Sequence, residues 1–204
     1  MISAKNKNFK SLVFIIAVLV LLNGIGSQFF HRFDLTQDKR YTLSPTSLSI
    51  LKEVKEPLIV DVFLKGQFPG EFKKLQTETQ QLLEEFKAYN KNITFQFVNP
   101  LENEEERDTI IQSFMERGLT PVNVTVEDKG KQTQEVVFPW AIATYNGRSV
   151  KVPLLKNLMG ASTAEKVVSS VQHLEYAFVN AFNTVSKNKE KKVAIIKGNG
   201  ELHD

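Results

Sequence analysis

The side chains that could do chemistry are few and far apart in the sequence. The three histidines, His31, His173 and His203, belong to different predicted elements, so a metal site would require all three to converge. His173 lies off the apolar face of its predicted helix and is interpreted as a solvated residue. The acidic run ENEEERD at 102–108 resembles a cation site, but its glutamates are better explained as the charged start of a helix. We therefore expect no metal.

Motifs for nucleophilic or nucleotide chemistry are also missing from the sequence. The 204 residues include no cysteine, which excludes thiol catalysis, disulfides and cysteine-ligated zinc. There is no GxxxxGK[ST] P-loop and no GxSxG motif. Asp61 stands inside an apolar strand and could be a buried functional carboxylate, although a strand that exposes one face at this position is the favoured interpretation. We expect no catalytic residue and no cofactor.

Positive charge is concentrated at the N-terminus. Lys5, Lys7 and Lys10 are the only charged residues before residue 31, and the formal net charge is +3. The other 23 basic residues balance the 23 acidic ones. A nucleic-acid surface requires clustered basic residues on the folded part, so no nucleic-acid partner is expected.

An uncharged run at 11–30, SLVFIIAVLVLLNGIGSQFF, is typical of a membrane helix. As a helix these residues would span ~30 Å, the thickness of a bilayer core. The lysines before the run favour a cytoplasmic N-terminus. We predict a cytoplasmic tail at 1–10 and a transmembrane helix at 11–32 in contact with the bilayer. A cleaved signal peptide is the alternative, but the run is long for one and lacks Ala-x-Ala.

The elements that follow predict an α/β domain. Residues 33–56 would form a juxtamembrane segment and a short helix, with Ser44 as N-cap and Pro45 at the first helical position. The domain itself would occupy 57–186. Its predicted strands lie at 58–64, 93–98, 122–128, 134–145 and 148–155, and its predicted helices at 70–89, 104–117 and 163–186. Pro139 should interrupt the run at 134–145 or place it at a sheet edge. Asn146-Gly147 predicts a hairpin turn before the last strand, and Ser162 with Glu165 predicts a capping box at the start of the last helix. The apolar run of the first strand suggests burial on both faces.

This order of elements resembles the thioredoxin core, with an added hairpin at 134–154. The turn LKGQFPG enters a long helix where redox cysteines would stand, but its residues 65–69 include none. We expect strands 58–64 and 93–98 to be parallel neighbours in one sheet and strand 122–127 to run antiparallel within it. In that arrangement Pro121, before the strand, is a candidate cis-proline.

A binding surface would remain beside Phe68 and Pro121, where an extended segment could bind by strand addition. Trp140 follows Phe138 and Pro139 in a predicted strand, and a cluster of this kind usually belongs to the core. The alternative is that Trp140 is an exposed aromatic contact for a partner subunit. Residues 187–204 are predicted to be a linker and the first strand of a truncated second α/β domain. The loop after that strand, with Gly198, Gly200 and Glu201, is a possible ligand loop.

Four motifs resemble the GldG family, the gliding-motility-associated subunits of a bacterial ABC transporter in Bacteroidetes. They are RFDLTQDKRYTLS, EVVFPWAIATY, SVQHLEYAF and VAIIKGNGE. The resemblance implies a non-catalytic, substrate-binding-like subunit in the inner membrane, with a periplasmic main domain, a permease partner and a separate ATPase partner. Family members continue into an amidotransferase-like domain and a second membrane helix. The alternative function is a membrane-anchored enzyme whose active site lies beyond Asp204.

Overall fold

A computed structural model describes residues 12–21, 23, 42–128 and 131–187. The chain divides into two units, Met1–Thr42 and Leu43–Asp204. In the first unit, residues 12–21 are helical and their large apolar side chains are exposed. Within the described residues, no helix has the length and apolarity needed to cross a membrane. The rest of the predicted span 11–32, the tail 1–10 and residues 33–41 lie outside the described part.

The second unit is a mixed α/β domain. Its elements, in chain order, are α1 (Pro45–Glu53), β1 (Leu58–Val62), α2 (Gly70–Tyr89), β2 (Ile93–Phe97), a 3-10 turn (Glu104–Glu106), α3 (Arg107–Glu116), β3 (Val122–Asp128), β4 (Lys131–Val137), β5 (Trp140–Tyr145), β6 (Arg148–Pro153), α4 (Thr163–Val171) and α5 (Leu174–Ser186). The start of α1 is as predicted: Ser44 is the N-cap, its side chain accepts from the Ser47 N–H, and Pro45 begins the helix.

The main sheet has the strand order β2-β1-β5-β6. β1 and β2 are parallel neighbours, as predicted, with Leu58 opposite Ile93. β5 runs antiparallel to β1, and β6 runs antiparallel to β5. The turn between β5 and β6 is the predicted Asn146-Gly147 hairpin, and both residues have positive φ.

The two faces of this sheet are covered unequally. On one face, Leu58, Val60 and Val62 of β1 are fully buried in a core shared with α1, α2, α4 and α5. On the other face Ile59 is exposed and Asp61 is half-buried, because α3 covers only part of that side. The expectation that β1 is buried on both faces is therefore wrong.

Aromatic side chains join the helices of the larger core. Phe86 of α2 contacts Phe178 and Phe182 of α5, with ring centroids 6.3 and 5.5 Å apart. All three rings are completely buried. Since α2 and α5 are far apart in sequence, this contact fixes the closing helix against the first long helix.

β3 and β4 form a separate two-stranded sheet, which we call the ribbon. The prediction that strand 122–127 belongs to the main sheet is therefore wrong. The run at 134–145 is divided into β4 and β5 around Pro139, as expected, because Pro139 has no N–H to donate to a ladder. The expected added hairpin at 134–154 is also not found, because β5 and β6 belong to the main sheet and β4 pairs with β3.

The predicted helix 163–186 is divided into α4 and α5 at Gln172 and His173. The predicted capping box of Ser162 and Glu165 is present at its start. Near the break, the Ser170 hydroxyl donates to the Lys166 carbonyl at 2.5 Å. Such bonds to the carbonyl four residues earlier weaken and bend helices, which gives a physical reason for the division.

Candidate functional site

A cleft of ≈180 Å³ opens where the chain after β1 separates from the chain before β5. The Phe63 N–H still donates to the Trp140 carbonyl at 2.9 Å, and the two segments diverge beyond this bond. The cleft is lined by Phe63, Lys65, Gly66, Gln67, Phe68, Asn99, Pro100, Leu101, Arg107, Glu135, Val136, Val137 and Phe138. Because β1 and β2 are parallel, their C-terminal residues lie at the same end of the sheet, and the loops that follow the two strands meet there.

The loop after β1 forms the first wall of the cleft. Gln76 of α2 donates its side-chain N–H to the Leu64 carbonyl at 2.6 Å and holds the base of this loop. Gly66 has a φ of +152°, a conformation that side chains disfavour. A Cβ at Gly66 would lie 3.5 Å from the Phe68 ring, so this ring lies close to the glycine backbone.

The loop after β2 forms the second wall. The Asn99 side-chain oxygen accepts from the Leu101 N–H at 3.1 Å, which stabilises the turn. Leu101 is buried with Phe63 and Phe138 in the smaller core that lies against α3. The floor of the cleft is therefore apolar.

Residues 135–137 at the end of β4, and Phe138 directly after them, form the third wall. Successive side chains of a strand point to opposite faces, so a cleft lined by four consecutive residues meets this strand edge-on. Among the described residues, β3 is the only strand that pairs with β4. The other edge of β4 therefore carries backbone N–H and C=O groups without a ladder partner.

Three charged side chains line the cleft. The Arg107 guanidinium lies 3.5 Å from a Glu135 carboxylate oxygen, and these side chains are 31% and 42% exposed. Lys65, in the loop after β1, also lines the cleft and is exposed. Within the described part of the chain, no group of three or more His, Asp or Glu residues could hold a metal ion.

The structure brings only one of the predicted contact residues into the cleft. Phe68 lines it, whereas Pro121 and Trp140 do not. Trp140 is half-buried and packs against the smaller core, and its indole donates to the Thr120 carbonyl at 2.9 Å. No cis peptide bond occurs in the described residues, so the prediction of a cis Pro121 is wrong.

The remaining candidate site residues either have contacts that explain them structurally or lie outside the described part of the chain. Asp61 accepts from the Gln96 side chain at 2.6 Å on the partly exposed sheet face. The His173 ring lies 4.8 Å from the Tyr176 ring at the surface. The predicted ligand loop with Gly198, Gly200 and Glu201 lies outside the described residues, as do His31 and His203.

Sequence reasoning missed Arg107 and Glu135, which form an ion pair at the cleft although the rest of α3, β3 and half of β4 separate them in sequence. The signal was weak: Arg107 belongs to a charged predicted helix start, and Glu135 is near the beginning of the predicted strand 134–145. Only the interruption at Pro139 indicated that the chain turns here.

The cleft lies within the part of the chain that a known family matches. The family described as "Domain of unknown function (DUF7088)" matches residues 37–144, which are 108 of the 204 residues. The chain belongs to the DUF7088 family. All thirteen residues of the cleft fall within the matched range, whereas β6, α4 and α5 follow it. No curated protein and no solved structure gives a significant match to the chain.

Proposed function

We propose that residues 57–186 are a thioredoxin-like domain in which β5 and β6 are the third and fourth strands of the core. The support is topological. Parallel β1 and β2 are joined through α2, and the antiparallel pair β5 and β6 follows in the same sheet. The ribbon is then an insertion after α3. Pro139, directly before β5, takes the position that we expected Pro121 to hold.

In this proposal the domain is redox-inactive and non-catalytic. The loop at 65–69 stands where a thioredoxin-like fold carries its reactive cysteines, and the chain has no cysteine at all. Without a thiolate there is no thiol–disulfide exchange. What the fold retains at this position is the cleft, bounded by Phe68 and the edge of β4.

The cleft fits part of an extended peptide better than a cofactor. Pockets for small molecules usually enclose about 300–1,000 Å³. At ≈180 Å³ this cleft is smaller, and its apolar floor would hold one or two side chains. The free edge of β4 supplies backbone partners for a strand that enters beside it. This edge-on wall at 135–138 is the observation that carries the proposal.

The complete function proposed is that of a membrane-anchored subunit of an ABC transporter complex associated with bacterial gliding motility. The domain would lie on the periplasmic side of the inner membrane and hold a segment of a permease or another subunit, while a separate ATPase hydrolyses ATP. Three observations support this: the four motifs that resemble the GldG family, the exposed apolar helix at 12–21, and the lack of a P-loop in the 204 residues.

Photo-crosslinking in native membranes tests the proposal. A photoreactive amino acid replaces Gln67, which is exposed in the cleft, or Lys91, which is exposed in the loop before β2. We expect an adduct with an identified subunit of an ABC transporter from position 67 and none from position 91. Equal adducts from both positions, or none from position 67, would contradict the interaction site. ATP hydrolysis by the purified chain alone would contradict a non-catalytic role.

A further inference from the structure

The lining of the cleft has an excess of positive charge. It contains two cations, Lys65 and Arg107, and one anion, Glu135. Lys65 makes no ion pair with any carboxylate of the described residues. A cation without a counter-ion beside an apolar floor favours a ligand that brings a negative charge.

The Arg107 guanidinium is suited to release the Glu135 carboxylate and to bind a carboxylate of a ligand in its place. Its separation of 3.5 Å exceeds the roughly 2.7–2.9 Å of a strong charge-assisted hydrogen bond. Both side chains are partly exposed, and ion pairs in such positions contribute little to stability. The Arg107 guanidinium also has a planar set of donors that can bind an incoming carboxylate with two parallel bonds.

Apolar side chains of the cleft lie beside the charged pair and could hold an apolar side chain of the ligand. Phe63, Leu101 and Phe138 are buried below the cleft, and Phe68 closes its side. We infer that the segment held in the cleft is an extended peptide with an aspartate or glutamate next to a bulky apolar residue. Its carboxylate binds between Lys65 and Arg107, in competition with Glu135, and the apolar side chain faces the floor. This inference rests on the proposed function and specifies the chemistry of the partner.

Peptide display on the full chain in detergent micelles tests the inference. A library of random twelve-residue peptides is selected, and the enriched peptides are measured against the unchanged chain and its variants. We expect an acidic residue within two positions of a leucine or aromatic residue. Lys65→Gln should weaken binding of such a peptide by roughly two- to five-fold, as expected for one partly exposed charge contact. Lys74→Gln, on the exposed side of α2, is the matched control and should have no effect.

A variant of Glu135 gives an effect of the opposite sign. Glu135→Gln removes the competing carboxylate, so binding of the acidic peptide should become tighter by a similar factor. A loss of folding cannot produce this gain. Far-UV circular dichroism checks that each variant remains folded.

The outcomes separate this inference from the proposed function. Enriched peptides that compete with one another and lose affinity when Gly66 is changed, but have no acidic preference, would overturn the inference and leave a peptide cleft in place. Unchanged affinity in both Lys65→Gln and Glu135→Gln would also overturn it. If no enriched peptide depends on any cleft residue, the proposed interaction site itself is wrong.

Discussion

The carboxylate of Glu175 accepts a hydrogen bond from the backbone N–H of Ser44 at 2.8 Å, across 131 positions of sequence. The same oxygen accepts from the Ser47 hydroxyl. The first N–H groups of a helix lack partners within the helix, and its N-terminus carries a partial positive charge. Glu175, in the first turn of α5, therefore stabilises the start of α1 and ties the two ends of the domain together.

Removal of this carboxylate should destabilise the domain. We expect Glu175→Ala to lower the free energy of unfolding by about 1–3 kcal/mol, because the half-buried N–H of Ser44 and the buried hydroxyl of Ser47 lose a charged acceptor. Urea unfolding followed by the fluorescence of the single tryptophan, Trp140, measures the change. Glu53→Gln, at the exposed end of α1, is the control. An equal loss in both variants would mean that the contact has no specific role.

Local features of this fold could be predicted from the sequence. The N-cap Ser44, the capping box of Ser162 and Glu165, and the Asn146-Gly147 turn each depend on a few neighbouring residues, and all three are confirmed. The parallel pairing of β1 with β2 was also predicted, from the resemblance of the element order to the thioredoxin core. The long helix between the two strands provides the crossover connection that a parallel pair requires.

Features that depend on distant contacts could not be predicted in the same way. β3 has the composition of a sheet strand, yet it pairs with β4 outside the main sheet. Asn90 resembles an ordinary helix end, yet its side chain donates to the carbonyls of Leu51 and Val54 and fixes α1 to α2. The cleft unites loops after β1 and β2 with the end of β4, which are neighbours only in the folded chain.

Two glycines near the cleft should respond in opposite ways to the same substitution. Gly66 has a φ of +152°, so Gly66→Ala should cost about 1–3 kcal/mol of stability or distort the loop beside Phe68. Gly70, at the start of α2, has open space around the position of a Cβ. Gly70→Ala should be neutral or stabilise by about 0.4–1 kcal/mol, because it restricts the unfolded chain. Unfolding midpoints of the two variants test this, and an equal loss in both would contradict the assigned role of the Gly66 backbone.

The capping box should make stability depend on pH through Glu165. Hydrogen bonds from the Ser162 hydroxyl, and then from the Ser162 N–H, lower the pKa of Glu165 in the folded chain. The contribution is complete above the ordinary glutamate pKa and is lost as the pH falls through the lowered folded-state pKa. The stability difference between the unchanged chain and Glu165→Gln should therefore shrink on acidification.

The hydroxyl bond can be tested by itself. Ser162→Ala removes the larger cause of the shift, so the pKa of Glu165 should rise towards its ordinary value. A carbon-detected NMR titration of the Glu165 carboxyl measures it. An unchanged pKa in Ser162→Ala would contradict the assigned cause.

The proposed topology predicts where the domain lies relative to the membrane. The chain has no cysteine, so a cysteine introduced at Lys91 is a single labelling site, and Lys91 is exposed in the structure. Ser47 would be a poor site because it is buried. With three lysines before the uncharged run at 11–30 favouring a cytoplasmic N-terminus, position 91 should react with a membrane-impermeant maleimide in cells whose outer membrane is permeable and whose inner membrane is intact. A cysteine placed at Ser3 should react only after the inner membrane is opened. The reverse pattern would place the domain in the cytoplasm and overturn the proposed topology.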